Sequence, residues 1–225
     1  MLWTAIGDVL SQAVGIAISP IPIVLVILML VSTRARVNGP AFLVGWAIGA
    51  AVVTGSATAL ADVAGADDGG GGTDGVLVGQ LLLGVLFMGL AVKQWRSRPE
   101  PGATPATPKL FAAVDQMGVG KAFGLGLAAC VANPKNLPLA ISAGAAIAQR
   151  GLSAGQAGAA VAVFVVIASA TVATPVVVYF ALGERSAAVL SSWKAWLIAN
   201  NATVMTVLFA VLGAKMLGTG LGVFG

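Results

Sequence analysis

The sequence predicts an all-α membrane protein: six transmembrane helices forming two inverted three-helix repeats, with proline-broken first and fourth helices. Three observations predict it. Of 225 residues, 58% are hydrophobic and 9% charged, with mean hydropathy +0.98, whereas a soluble domain carries about 25% charged residues. The apolar residues gather into runs long enough to cross a bilayer. The first and fourth runs are each interrupted by proline, at corresponding places in two halves.

A span needs about 20 predominantly apolar residues to cross about 30 Å of hydrocarbon. Residues 10–31 supply the first, 40–61 the second, 76–92 the third, 157–182 the fifth and 196–214 the sixth. The fourth differs. Residues 122–132 are apolar, Asn133-Pro134-Lys135-Asn136 interrupts, and 137–148 resumes. Neither piece spans alone, and joined straight they would reach about 40 Å, so a broken or re-entrant segment fits. Met1-Leu2-Trp3-Thr4 offers no basic region ahead of an apolar core, so no cleaved signal peptide is expected.

The basic residues set the orientation. Arg34 and Arg36 lie in loop one, Lys93, Arg96, Arg98, Lys109 and Lys121 in or beside loop three, and Arg185 and Lys194 in loop five. Outside the odd loops stand Arg150, with Lys135 and Lys215 inside or ending helices. The positive-inside rule therefore places loops one, three and five in the cytoplasm and both termini outside the plasma membrane. Asp8, Asp62, Asp67, Asp68 and Asp74 then fall outside. Residues 67–75 read as an acidic, glycine-rich outer loop whose spacing matches no EF-hand. The proline-rich residues 99–108 lie within a cytoplasmic linker, 99–117, between a first repeat, 1–98, and a second, 118–225.

The repeat shows in three matched segments. Ser19-Pro20 and Asn133-Pro134 are 114 residues apart, and Ser56-Ala57-Thr58 and Ser169-Ala170-Thr171 are 113 apart. Val85-Leu86-Phe87, followed by Lys93, returns 122 residues later as Val207-Leu208-Phe209, followed by Lys215. Three spans per half oblige the second copy to enter from the opposite side. A proline removes a backbone donor and frees a carbonyl one turn back, and such groups persist at membrane depth only against protein or a wet cavity. Paired interruptions of this kind point to a midplane substrate site. A polar cavity between the halves is the expectation.

Lys135 leads the expected substrate-binding residues. A lysine between apolar segments costs about 3 kcal/mol on insertion scales, and a helix beginning near Asn136 would add positive potential beside it. Together they suit a carboxylate, phosphate or sulfate; otherwise the lysine snorkels to a head group. Asn133 and Asn136 line the cavity or cap the broken ends. Ser19 stands at the first break, and Pro20, Pro22, Pro134 and Pro138 shape both. Ser56, Thr58, Ser169 and Thr171, with Thr174, supply hydroxyls to a pathway or bond back to their own or neighbouring helices. Lys215, toward the outer end, stands against the charge rule and binds an anion or snorkels. Trp46, Trp193 and Trp196 read as packing residues or interface anchors, and Gly45-x-x-x-Gly49 as a close-packing motif.

Several functions lose support here. The single cysteine, Cys130, allows neither an internal disulfide nor a dithiol relay. The absence of histidine removes the commonest transition-metal ligand and the usual neutral-pH base. No nucleophile–base pair, metal cluster or phosphate-binding loop is evident, so no enzyme, metal or cofactor is expected. The net charge of +4 reads as membrane orientation rather than nucleic-acid binding.

Ser19-Pro20-Ile21-Pro22-Ile23-Val24, Asn38-Gly39-Pro40-Ala41-Phe42-Leu43-Val44-Gly45-Trp46 and Asn133-Pro134-Lys135-Asn136 resemble the GAP family. These are the glycopeptidolipid- and sulfolipid-addressing proteins of actinobacteria, placed in the lysine-exporter superfamily. The resemblance covers nearly the whole chain. It implies six spans and a role in moving lipids or glycolipids to the cell surface. An exporter or flippase for an anionic lipid or glycolipid is the leading expectation. Two alternatives stay open: a small-solute exporter resembling the amino-acid exporters, and a non-transporting accessory subunit of a glycolipid export complex. Expected partners are the lipid substrate, membrane lipids, and either a second copy as homodimer or an envelope-lipid export complex.

Overall fold

A computed structural model describes residues 1–65, 72–98 and 117–222. Residues 67–71 of the acidic loop and the proline-rich segment 99–108 lie outside the described residues. The regular structure among those described is helical throughout. In order come α1 (Leu2–Ala17), α2 (Pro20–Leu30), α3 (Ala35–Gly65), α4 (Gly72–Arg96), α5 (Val119–Val131), α6 (Asn136–Ala148), α7 (Ala154–Leu182) and α8 (Ser186–Gly220).

The breaks fall where proline chemistry puts them. Pro20 opens α2 at its first position, where a missing N–H costs no intrahelical bond. The chain bends by 57° between α1 and α2. In the second half, Asn133 Oδ1 accepts the Lys135 N–H at 3.1 Å, and the Asn136 N–H reaches the Asn133 carbonyl at 3.0 Å. This side-chain turn separates α5 from α6.

Three stretches are long and apolar enough to cross a membrane: Ala35–Val63, Leu77–Arg96 and Ala154–Gly220. The bent pair α1 and α2, taken together, makes a fourth. Six spans were expected, and length and composition yield three or four. The reason is local. α5 and α6 have 13 residues each, too few to span singly. The 67-residue stretch Ala154–Gly220 contains both α7 and α8, separated at Gly183, whose φ of +54° interrupts the helical path at a residue without a Cβ.

Helix limits also run past the apolar windows. α8 begins at Ser186 rather than near 196, so Lys194, expected in a loop, lies within a helix. No glycine or proline occurs from 184 to 212, and nothing stops the backbone ladder where hydrophobicity fades. α7 begins at a capping box, in which Ser153 accepts the Gln156 N–H.

Small residues set the packing. α3 passes α5 and then α6 in the same direction. A Cβ on Gly45 would lie 2.1 Å from the Phe123 carbonyl oxygen, and one on Gly126 2.1 Å from that of Phe42. Only glycine permits this approach, so Gly45 serves close packing. α4 runs antiparallel to α8, with Gly84 against Leu217 and Gly213 against Met88. α7 runs opposite to α3, where the fully buried Trp46 donates its indole N–H to the Ala168 carbonyl at 3.3 Å.

Candidate functional site

The two breaks meet. At the first, the end of α1 and the prolines of α2 leave carbonyls without intrahelical donors. Lys135, from the second break, reaches across to them. Its Nζ lies 2.5 Å from the Gly15 carbonyl oxygen and 2.9 Å from that of Ile18, with Ile16 at 3.5 Å. Ile16 also accepts from Ser19 Oγ at 2.7 Å, and the Ala17 carbonyl accepts from Thr171 Oγ1. An ammonium has three hydrogens and no acceptor, and a helix C-terminus is its favoured partner. Lys135 is 1% exposed, held by backbone on the far side of the break. In this conformation it braces one half against the other.

The remaining expected residues meet different surroundings. Ser19 and Thr171 join Lys135 at the end of α1. Thr58 and Thr174 donate to the carbonyls four residues back, at 2.9 and 2.8 Å, the common intrahelical habit. Ser56 is exposed. Ser169 is buried, and its hydroxyl has no hydrogen-bond partner among the described residues. Asn133 forms the turn. Asn136 is 1% exposed, and neither its amide nitrogen nor its oxygen has a partner among the described residues. Buried polar groups are almost always bonded, which singles this amide out.

A large cavity lies beside the interlock. It has a volume of about 940 Å³, and α1, α4, α6 and α8 form its walls. Pro138 sits in its lining, near the second break. Its polar residues include Asp8, Gln12, Gln80, Ser142, Arg150 and Lys215. Arg150 holds Asp8, with nitrogens 2.5 and 2.7 Å from one carboxylate oxygen, and Lys215 donates to Ser11. The Gln80 oxygen is buried without a partner among the described residues. Three of these residues, Gln12, Gln80 and Ser142, carry no signal as site residues in the sequence. Asp8 and Arg150 offered a faint one, as opposite charges assigned to the same side. Lys135 and Asn136 do not line this cavity.

A family model, that of Sap, sulfolipid-1-addressing protein, matches residues 9–222. The chain belongs to the Sap family. The match takes in both breaks, the Lys135 brace and nearly all of the cavity wall, leaving Gly7 and Asp8 just ahead of it. The resemblance carried by Ser19-Pro20-Ile21-Pro22 and Asn133-Pro134-Lys135-Asn136 thus extends along the residues that join them, and with its apolar helices this Sap-family chain is a membrane protein. No curated protein and no solved structure matches the chain.

Proposed function

We propose that this Sap-family protein exports an anionic lipid or glycolipid across the plasma membrane, without altering it chemically, through the cavity between its halves. One observation carries the reading: the 940 Å³ cavity draws its walls from both halves and gathers charged and amide side chains beside a broken helix. The family description, an addressing protein for a sulfolipid, supports a lipid-like cargo. Irregular backbone at membrane depth, opposite a polar cavity, is how secondary transporters build substrate sites.

The reading includes six spans as an inverted repeat, with α1–α4 answering α5–α8. α4 and α8 are antiparallel, as are α3 and α7, and each half opens with a broken helix. The repeat-equivalent Phe87 and Phe209 stack on each other, ring centres 5.9 Å apart and 15° from parallel. A pseudo-twofold axis between the halves would bring equivalent residues together in this way. With loops one, three and five cytoplasmic, the cavity opens to the outside.

Reconstitution tests the function. Purified protein in liposomes is expected to translocate a head-group-labelled anionic lipid faster than protein-free vesicles, read by quenching of the outer-leaflet label. Movement of an amino acid instead would support the small-solute alternative. Movement of neither, with activity appearing only on addition of partner proteins, would support an accessory subunit.

A further inference from the structure

We propose that the groove between α1 and α8 is a binding site for one acyl chain of an anionic lipid, with the head group at Lys215. The groove has a volume of about 490 Å³ and is walled chiefly by Val14, Ile18, Val204, Val207, Val211 and Trp196. Lys215 lines both this groove and the polar cavity. It stands where the two meet. Polar head and apolar tail therefore have adjoining compartments, joined at a cation.

The charges at this junction do not cancel. Asp8 is engaged twice by Arg150, whereas Lys215 has only the neutral Ser11 hydroxyl as its hydrogen-bond partner among the described residues. Among the described residues, Asp8, Arg150 and Lys215 are the charged ones of the cavity wall, and together they leave one positive charge for an anionic group to meet.

The groove faces outward. Val14, Val207 and Val211 are 42%, 58% and 62% exposed, on a surface that a bilayer would cover. From Lys215 to Trp196 along α8 is about 29 Å at 1.5 Å per residue, close to the ~30 Å depth of the hydrocarbon core. A chain lying in it stays in apolar surroundings along that depth. Asn200, one turn from Trp196, donates its amide to the Trp196 carbonyl at 2.9 Å and so turns its donor back to its own helix. A partner helix fits less well, because helix interfaces in membranes favour glycine, alanine and serine, and these walls are mainly valine, leucine, isoleucine and tryptophan.

This site deepens the export reading and rests on it for its purpose, but its test is binding, not transport. The full chain in neutral detergent would be titrated with phosphatidylglycerol and with phosphatidylcholine of identical chains, bound lipid being counted by native mass spectrometry. Wild type should prefer the anionic lipid by about tenfold, the factor one charge-assisted hydrogen bond supplies. Lys215→Gln should abolish the preference and Lys215→Arg keep it. Val207→Trp, on an exposed face and so harmless to folding, should weaken both lipids. A preference that survives Lys215→Gln would overturn the head-group assignment. Unchanged binding in Val207→Trp, or a loss of dimers instead of lipid, would overturn the groove. Intact binding without transport would sink export and leave this site standing.

Discussion

Lys135→Met is expected to lower the melting temperature of the purified protein by roughly 10 °C. The substitution keeps an unbranched apolar stem, one atom shorter, and removes the three donors. Gly15 and Ile18 then retain buried carbonyls that no other group satisfies, and hydrogen bonds from a charged group are worth about 1.5–3 kcal/mol each. Two such bonds amount to at least ~3 kcal/mol, and for a chain of this size each kcal/mol moves the midpoint by about 2–4 °C. The Ile16 contact adds little, because at 3.5 Å it lies at the limit of a hydrogen bond and Ser19 already serves that oxygen. Lys135→Arg should recover part of the loss. Differential scanning fluorimetry in detergent decides it: an unchanged midpoint for Lys135→Met would show that the brace contributes nothing to folding.

Asn136→Leu is expected to do the opposite, raising stability while lowering transport at least tenfold. Among the described residues the buried amide has no partner for either end, and an unsatisfied polar group costs about 1–3 kcal/mol. An apolar side chain of similar size removes that cost. A residue that is expensive to the fold and sits at a helix break is explained if its amide meets water or cargo in another conformation, the familiar exchange of stability for function. The two readouts must move apart. A variant that is both more stable and fully active in liposomes would reduce Asn136 to an unoptimised core position.

What could be read from the sequence follows from how local the physics is. Pro20, Pro22, Pro134 and Pro138 announce their breaks because a missing N–H acts within one turn, and composition alone fixes the solvent as lipid. Lys135 drew notice as a cation among apolar residues, yet its partners were hidden. Gly15 and Ile18 offer it only backbone carbonyls, which leave no mark in a sequence. Thr58 and Thr171 belong to matching segments and diverge because one bonds within its helix and the other crosses to α1. The cavity was expected between the halves but near Asn133 and Lys135; its position between α1, α4, α6 and α8 depends on which helices touch. Gly45, Gly84, Gly126 and Gly213 govern those contacts; Gly45 stands out through Gly45-x-x-x-Gly49, but in a chain with 30 glycines nothing distinguishes the other three beforehand. Lys194 shows the remaining limit, because an apolar window marks where lipid begins and not where a helix does.

Export by this chain requires a water-reachable cavity shared by two halves of opposite orientation. Labelling with a membrane-impermeant thiol reagent in intact cells tests it most directly, using Gln80→Cys from the first half and Ser142→Cys from the second. The lone native thiol, Cys130, is buried and gives a low background. The account predicts that both positions label from outside and that both are protected by added anionic lipid. Labelling of either one only after the reagent is admitted to the cytoplasm would contradict it.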